Sequence, residues 1–259
     1  MKKVFISVLY ILLVLSISVS AQSSGMDLSG LLKTLPNVSS QVLNGMFSDL
    51  VKKDSANKNQ INNVETKNQS AALNNQAAAS VKVPDNKIGS SRTTFTPTGL
   101  SLTHKEFAKG VIKNEEDRKK FEQILIKNYG DYETIIKNSG WTGNDVARSA
   151  SSLLVTCINF YRNDGNLLTE AQRAGIYRQI KNELETDPEF EAATNMEKQK
   201  AHEINVNLRT LLLIFYDIGK ENNDQKIMKG VGDIGAMIFE LYTGKSIEKV
   251  KVADSGMKL

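Results

Sequence analysis

A stretch that resembles a calcium-binding loop runs from Asn159 to Gln172 and reads NFYRNDGNLLTEAQ. A loop of the EF-hand type needs an oxygen ligand at its first position, glycine at its sixth and a bidentate carboxylate at its last. If Gly165 is sixth, then Phe160 is first and Ala171 is last, and neither side chain binds calcium. We therefore interpret the stretch as a polar turn around Gly165, followed by a helix that begins at Thr169.

A second stretch, GVGDIG at residues 230–235, matches the glycine pattern of dinucleotide-binding folds. Such a site needs its glycines between a strand and the first turn of a helix. Here the preceding residues are polar and helical, and the glycines fall inside an apolar helical pattern. Each glycine costs a helix interior about 1 kcal/mol relative to alanine. We predict that Gly232 and Gly235 offset this cost by letting a neighbouring helix approach closely.

Residues with catalytic side chains do not form a recognised set in this sequence. His202-Glu203 begins like a zinc-protease helix, but the second histidine would fall at Val206, and nothing in the sequence places His104 beside His202. Ser246 to Lys249 has the SxxK spacing of penicillin-recognising enzymes without the other motifs of that set. We assign no catalytic, cofactor-binding or metal-binding residue and expect no cofactor, and the binding residues are unknown.

Two further features leave alternatives open. The acids at Glu115, Glu116, Glu203 and Asp233 are available for general acid–base chemistry, although a charged surface explains each of them equally well. Trp141 precedes an expected helix and would pack that helix onto the core, or would stack on a ligand if a pocket surrounds it.

Helical periodicity dominates the chain from about Thr94 onward, and no long segment alternates with a period of two. We predict that Gly130 ends one helix and that a separate short helix then closes near Gly140. Other helix starts are expected at Thr142 or Asn144, at the capping boxes of Thr169 and Thr194, at Pro188 for a short turn, and near Asp224 for the last helix.

The clearest of these helices carries Cys157 on its apolar stripe. Because Cys157 is the only cysteine, an internal disulfide is excluded, and its position predicts burial rather than reactivity. After a stop at Gly244, the tail is expected to be extended and to pack Ile247, Val250 and Val252 where it can.

The chain divides by composition into four predicted parts. Residues 1–21 have two lysines, an apolar run and a small-residue cleavage site, which is typical of a secretory signal peptide, with an uncleaved anchor as the alternative. Residues 22–53 contain a short amphipathic helix at 40–53. Residues 54–92 are rich in Asn, Gln and Ser and predict a disordered linker. Residues 93–259 predict an all-α domain, an irregular bundle of about six helices.

Charge and hydropathy narrow the expected partners. The net charge is +4, and it falls to +2 when Lys2 and Lys3 leave with the signal peptide. No concentrated basic face is visible, so we expect no nucleic-acid partner. After signal cleavage no segment is long and apolar enough for stable membrane insertion. The expected location is outside the cytoplasm, in the periplasm or the extracellular medium.

Five segments together resemble a family of exported bacterial proteins that is known only as a domain of unknown function. They are TTFTPTG at 93–99, NDVARSAS at 144–151, TEAQ at 169–172, DPEF at 187–190 and GKSIEKVKVADSGMKL at 244–259. The resemblance covers about residues 93–259. It implies an export signal and a helical body, and it brings no established reaction or catalytic residue.

These observations predict a secreted or periplasmic helical protein that is not an enzyme and binds another protein, with the helix at 40–53 as one candidate contact. Two alternatives stay open at this point. One is a hydrolase that acts on cell-wall material with paired carboxylates, and the other is an inhibitor or immunity protein for a secreted toxin.

Overall fold

The computed structural model of the chain describes residues 91–112 and 114–258. These residues contain seven α-helices and one short hairpin, which confirms the all-α prediction. The helices are α1 (His104–Val111), α2 (Glu115–Asn138), α3 (Val146–Arg162), α4 (Glu170–Glu185), α5 (Pro188–Ala192), α6 (Asn195–Glu221) and α7 (Gln225–Thr243). A 3₁₀ turn at Ile247–Lys249 leads into strands β1 (Lys251–Ala253) and β2 (Gly256–Lys258).

Side-chain caps start most of these helices where the sequence predicted them. Thr169 and Thr194 each form a complete capping box, with Gln172 and Glu197 as the residues that reach back to the cap backbone. Pro188 occupies the first turn of α5. The last helix is capped at one end by Asp224 and at the other by Gly244, whose φ of 65° suits a left-handed C-cap.

Two predicted boundaries were wrong. Gly130 does not end a helix, because α2 continues through it and ends at Asn138. One glycine in a helix interior costs only about 1 kcal/mol, and the continuous helix buries Phe121 and Tyr132 on either side of it. The cap of α3 is Asp145, whose carboxylate accepts from the Ala147 N–H, instead of Thr142 or Asn144.

Helix α3 lies at the centre of the bundle and packs against α4, α6 and α7. Its apolar stripe is almost fully excluded from water, and Cys157 is buried as predicted. The predicted role of the α7 glycines is also confirmed. A Cβ at Gly235 would lie 3.2 Å from the Cα of Cys157, and one at Gly232 would lie 3.0 Å from the carbonyl oxygen of Phe160.

Both ends of the described chain are fixed to the bundle. At the start, Thr93 and Phe95 exchange backbone hydrogen bonds with the residues around the start of α3. At the end, β1 and β2 pair as an antiparallel hairpin that packs on α4, and Ile247 and Val250 are buried as the sequence predicted. Within residues 91–258, no helix has both the length and the hydropathy that a membrane span requires.

The predicted signal peptide, the amphipathic helix at 40–53 and nearly all of the linker lie outside the described residues. Of the predicted linker, the last two residues are described, and both contact α4. The Ser91 hydroxyl donates to the Glu185 carboxylate at 2.8 Å, and Arg92 donates to the Glu185 carbonyl at 3.2 Å. The boundary at residue 93 stays a prediction.

Candidate functional site

The two histidines of the chain lie on either side of one tyrosine. The rings of His104 and His202 contact the Tyr129 ring edge-on, with centroid separations of 5.4 and 5.7 Å. His104 belongs to α1, Tyr129 to α2 and His202 to α6, so three helices meet at this point. Both histidines are at least 98% buried. The sequence did not place them together, because they are separated by almost a hundred residues.

His202 is held by Glu133 and by the loop before α3. Its Nε2 lies 2.8 Å from a carboxylate oxygen of Glu133, and its Nδ1 lies 3.2 Å from the carbonyl oxygen of Asp145. The other Glu133 oxygen accepts from the Asn144 N–H at 3.0 Å. Burial raises the pKa of Glu133, but the His202 and Asn144 hydrogen bonds outweigh that effect and lower its pKa overall. This cluster fixes the left-handed turn at Asn144, where φ is 54°.

Glu203 organises the segment that leads into α1. Its carboxylate accepts from the backbone N–H groups of Leu102 and Thr103, at 2.9 and 2.8 Å, and from the Thr103 hydroxyl at 2.9 Å. Gln199 donates to the same carboxylate at 2.8 Å. The N–H groups at a helix start have no partner within the helix. The Glu203 carboxylate from α6 satisfies the N–H of the N-cap residue Thr103 and of Leu102 before it, and the Thr103 side chain makes no cap hydrogen bond of its own.

His104 lies beside this carboxylate but is not fully satisfied. Its Nδ1 is hydrogen-bonded to the Ser101 hydroxyl and lies 3.7 Å from Glu203. Its Nε2 is buried without a partner among the described residues. Burial lowers the pKa of His104, and the charges of Glu203 and Glu122 only partly offset this. Burial therefore favours the neutral form of this ring in the folded protein.

A second polar centre lies at the first turn of α3. The guanidinium carbon of Arg148 is 3.6 Å from the ring centroid of Trp141 and 3.6 Å from that of Tyr177. The Tyr177 hydroxyl in turn donates to the Asp145 carboxylate at 2.8 Å. Trp141 is partly buried and packs on the core, so the packing that the sequence offered as one alternative is present, and a guanidinium group of the same chain stacks on its ring.

The other acids singled out from the sequence do not join either centre. Glu115, Glu116 and Asp233 are exposed or nearly so, and each forms an ion pair within its own helix, with Lys119, Lys120 and Lys229 respectively. Only Glu203 is buried. Glu133, which makes the tightest contact to His202, was missed because a single glutamate on a polar helix carries no distinguishing pattern in the sequence.

The three stretches that resemble known motifs form ordinary turns and helices. Asn163 and Gly165 have φ of 43° and 78°, and the Asp164 carboxylate accepts from the Asn166 N–H, which confirms a polar turn between α3 and α4. The GVGDIG stretch lies inside α7, and part of the SIEK stretch forms the 3₁₀ turn. Among the described residues, no group of three or more His, Cys, Asp or Glu side chains is arranged to hold a metal ion.

The cluster around His104 and His202 has the residue types of acid–base catalysis. The hydrogen bonds of its two glutamates, however, hold backbone segments in place. Glu133 and Glu203 accept from backbone N–H groups that lie at a turn and at a helix start. Such groups stabilise a carboxylate in place and leave few lone pairs for a substrate proton. The geometry is that of two helix junctions fixed by buried carboxylates.

Comparison with known protein families matched nearly the whole chain. A family model described as a family of unknown function, DUF6683, matches residues 3–259. No curated protein and no solved structure matches the chain. The resemblance to a family of unknown function, expected from the sequence, is thereby confirmed.

Proposed function

Since the chain belongs to the DUF6683 family, whose function is unknown, we propose a function from the geometry of its described residues: an exported, non-catalytic module that binds another protein. Export is inferred from the signal-like residues 1–21, and the periplasm or extracellular medium is the proposed location. The proposed partner is a protein, because the net charge of the chain is small and offers no extended basic face to a nucleic acid.

One observation carries the binding proposal: buried side chains of α6 fix the shape of an exposed loop. Gln199, 3% exposed, accepts from the Thr98 N–H at 2.8 Å and donates to the Leu100 carbonyl at 2.7 Å. Glu203, 1% exposed, accepts from the N–H groups of Leu102 and Thr103 at the end of the same loop. A loop whose conformation is fixed before binding loses little entropy when it meets a partner.

The fixed loop carries the most exposed large apolar side chain among the described residues. Leu100 is 70% exposed, and Met196, on the first turn of α6, is 47% exposed. The loop is joined to that same turn because the Thr96 N–H donates to the Asn195 side chain at 3.3 Å. Residues 96–102 with Met196 are called the loop surface below. Exposed apolar side chains on a rigid loop favour contact with a protein partner.

The environments of the buried acids Glu203 and Glu133 favour the binding proposal over the hydrolase alternative. Paired-carboxylate hydrolysis needs one carboxylate free to donate a proton and a second free to act as base or nucleophile. Glu203 already accepts four hydrogen bonds, and the pKa of Glu133 is lowered, which is unfavourable for a general acid. An inhibitor or immunity protein is a special case of the binding proposal and is separated from it by the identity of the partner.

The test is retention of a partner by the mature chain, residues 22–259, on a solid support. Envelope and secreted fractions from the source organism are passed over wild type, over the double variant Leu100→Ser/Met196→Ser, and over Ile126→Ser. Ile126 is also exposed, at 39%, but lies on α2. We expect a protein that wild type and Ile126→Ser retain with the same saturable affinity and that the double variant loses at least tenfold.

Three further assays separate the alternatives, and the retention test itself has one outcome that counts against the loop surface. Equal retention by all three proteins would remove the loop surface from the proposal. Release of soluble fragments from purified cell-wall material by wild type, lost in Glu133→Gln, would replace binding by hydrolysis. Deletion of residues 22–92 tests the helix at 40–53, and unchanged retention would exclude that helix as the contact. A retained protein whose toxicity the chain neutralises would identify an immunity protein.

A further inference from the structure

Residues 98–103, which lead into α1, are held on α6 by two side chains. Gln199 holds the first half of this segment. Glu203 holds the second half, where its Oε2 accepts from the Leu102 N–H at 2.9 Å, from the Thr103 N–H at 2.8 Å and from the Thr103 hydroxyl at 2.9 Å. Its Oε1 accepts from Gln199 at 2.8 Å. A carboxylate offers about four acceptor sites, so the Glu203 carboxylate is fully used.

His104 follows this segment directly and is only 2% exposed. Its Nδ1 is hydrogen-bonded to the Ser101 hydroxyl and lies 3.7 Å from Oε2 of Glu203. Its Nε2 is buried and has no partner among the described residues. A neutral imidazole carries a single N–H, and with that hydrogen on Nδ1 the buried Nε2 is only an unused acceptor. The folded geometry around His104 therefore accommodates a neutral ring.

The groups that face His104 from the neighbouring helices do not compensate a positive charge on it. Glu203 on α6 and Glu122 on α2 both favour the charged ring, but burial acts against it more strongly and lowers its pKa. Burial and nearby carboxylates raise the pKa of Tyr129, whose ring contacts His104 edge-on, so the Tyr129 hydroxyl stays neutral. On α1 itself, Glu106 forms an ion pair with a lysine of its own helix.

A second proton on His104 conflicts with these contacts in two ways. It places an N–H on Nε2, where no acceptor is present among the described residues, and a buried donor without a partner costs about 1–3 kcal/mol. It also places a positive charge 3.7 Å from Oε2 of Glu203, and that oxygen already accepts from Leu102 and Thr103. Exposure of the ring to water removes both conflicts.

The start of α1 is placed where it can open without the rest of the bundle. Helix α1 packs on α2 and α6, whereas the central helix α3 packs on α4, α6 and α7. Residues 96–101 are exposed. The buried apolar side chains of α1 and its C-cap, Phe107, Ala108 and Ile112, lie after the first turn. Opening of the segment and the first turn therefore leaves the interfaces of α3 intact.

We propose that His104 and Glu203 form a pH-sensitive latch, which keeps residues 98–103 attached to α6 at neutral pH and shifts them toward a detached state when His104 is protonated. In the detached state both N–H groups of the ring donate to water, and the Glu203 carboxylate is free of the segment. The opening itself does not depend on the proposed function. Only its consequence, weaker binding of a partner to the loop surface in acid, rests on that function.

The test is hydrogen exchange of the free mature chain, residues 22–259, between pH 7.5 and 5.5. Each measured rate is divided by the rate of an unstructured chain at the same pH, which gives a protection factor. The protection of the Leu102 and Thr103 N–H groups should fall about three- to tenfold over this range, because an exposed histidine with a pKa near 6.5 gains its proton there. The Met257 N–H on the hairpin is the internal control, since opening of the hairpin does not expose His104.

Two variants assign the effect to His104. His104→Asn places an amide near the position of Nδ1 and does not titrate, so the protection of Leu102 and Thr103 should be the same at both pH values. Lys105→Asn changes the exposed neighbouring residue, and its protection should fall with pH as in wild type.

Three results would overturn the latch. One is protection of Leu102 and Thr103 in wild type that does not change with pH, and another is a fall that persists in His104→Asn. The third is the same free energy of opening for these groups and for the core of α3, because the segment would then leave only when the whole protein unfolds. Circular dichroism establishes that each variant is folded, and if His104→Asn is unfolded, the wild-type comparison with Met257 and α3 still decides. A pH-dependent opening in a protein that retains no partner would support the latch and count against the proposed function.

Discussion

At the scale of single residues, the buried carboxylates of Glu203 and Glu133 form hydrogen bonds with backbone N–H groups. Glu203 and Glu133 accept from N–H groups at the start of α1 and at the turn before α3, where no helical partner exists. Charge-assisted bonds of this kind are stronger than neutral ones, so a few buried carboxylates fix the junctions between long helices. Arg148 differs, since it lies against the rings of Trp141 and Tyr177, and its buried Nε and Nη2 have no hydrogen-bond partner among the described residues.

Glu203→Gln should destabilise the fold. The amide group cannot accept all four hydrogen bonds, and its NH₂ meets other donors, so we expect a loss of about 1–3 kcal/mol in the free energy of unfolding. Urea unfolding followed by circular dichroism measures the change. Glu115→Gln is the control, because Glu115 is exposed and pairs only with Lys119, and its midpoint should match wild type. Equal midpoints for the two variants would contradict the capping role of Glu203.

Protonation of His104 should couple stability to pH. Its folded pKa lies below the ordinary 6.5, so between the two values the unfolded state binds more protons. The free energy of unfolding should therefore fall as the pH drops from about 7.5 to 5. The folded pKa of Glu133 is lowered, so the stability that this carboxylate contributes is lost only below the 4.5 of an ordinary glutamate. Glu133 therefore adds little to the slope between pH 7.5 and 5.

Denaturant unfolding at a series of pH values measures this slope. His104→Asn should reduce it, while Lys105→Asn, on the exposed neighbouring position, should leave it as in wild type. The same slope in His104→Asn and wild type would show that another group is responsible.

At the scale of elements, glycines have opposite roles in α2 and α7. Gly130 lies in an open part of α2, with no atom within 4 Å of the position that a Cβ would take. Gly235 lies against the backbone of α3 at Cys157, where a Cβ would be 3.2 Å from the Cα. The same residue type is thus a local defect in one helix and a packing requirement in the other.

Gly130→Ala should stabilise the protein by about 1 kcal/mol, because alanine favours the helix and meets nothing. Gly235→Ala should destabilise it by about 1–3 kcal/mol, because α7 must move away from α3. Thermal unfolding of the two variants beside wild type measures both effects. A Gly235→Ala protein as stable as Gly130→Ala would mean that the α3–α7 interface can relax without cost.

At the scale of the whole molecule, the C-terminal hairpin packs against the middle of the chain, at α4. The hairpin β1–β2 lies on α4, where the Met257 N–H donates to Gln179 at 2.7 Å. Gly175 makes this contact feasible, since a Cβ there would be 2.4 Å from the Asp254 carbonyl oxygen and 2.5 Å from the Gly256 nitrogen. Both clashing atoms belong to backbone, so a small side-chain movement cannot relieve them.

Gly175→Ala should release the hairpin from α4 while the central helices stay folded. Trypsin should then cleave after Lys249 or Lys251 much faster than in wild type, and mass spectrometry of a time course reports the sites. Gly130→Ala serves as the control for a glycine-to-alanine change elsewhere. Identical cleavage rates in the two variants would show that the hairpin shifts and still stays bound.

The local features of the fold were largely predictable from the sequence. The capping boxes at Thr169 and Thr194, the stop at Gly244 and the burial of Cys157 depend on residues only a few positions apart, so they are readable from spacing alone. The prediction failed at Gly130, where a local stop signal was overridden by burial on both sides of the glycine.

The polar centres were not predictable in the same way. Glu203 was noted as an available acid, but nothing local shows that its partners are Leu102 and Thr103, about a hundred residues earlier. Glu133 carried no signal, because its pairing with His202 spans sixty-nine positions.

The sequence by itself determined the helical class, most of the helix starts and ends, and the membership of a family without a known function. Only the tertiary structure decided which charged groups meet. Caps and apolar stripes arise from contacts within one or two helical turns, whereas His104, Tyr129 and His202, or Trp141, Arg148 and Tyr177, come together only when helices pack. The packing arrangement is set by the whole apolar core at once, and no short stretch of residues encodes it.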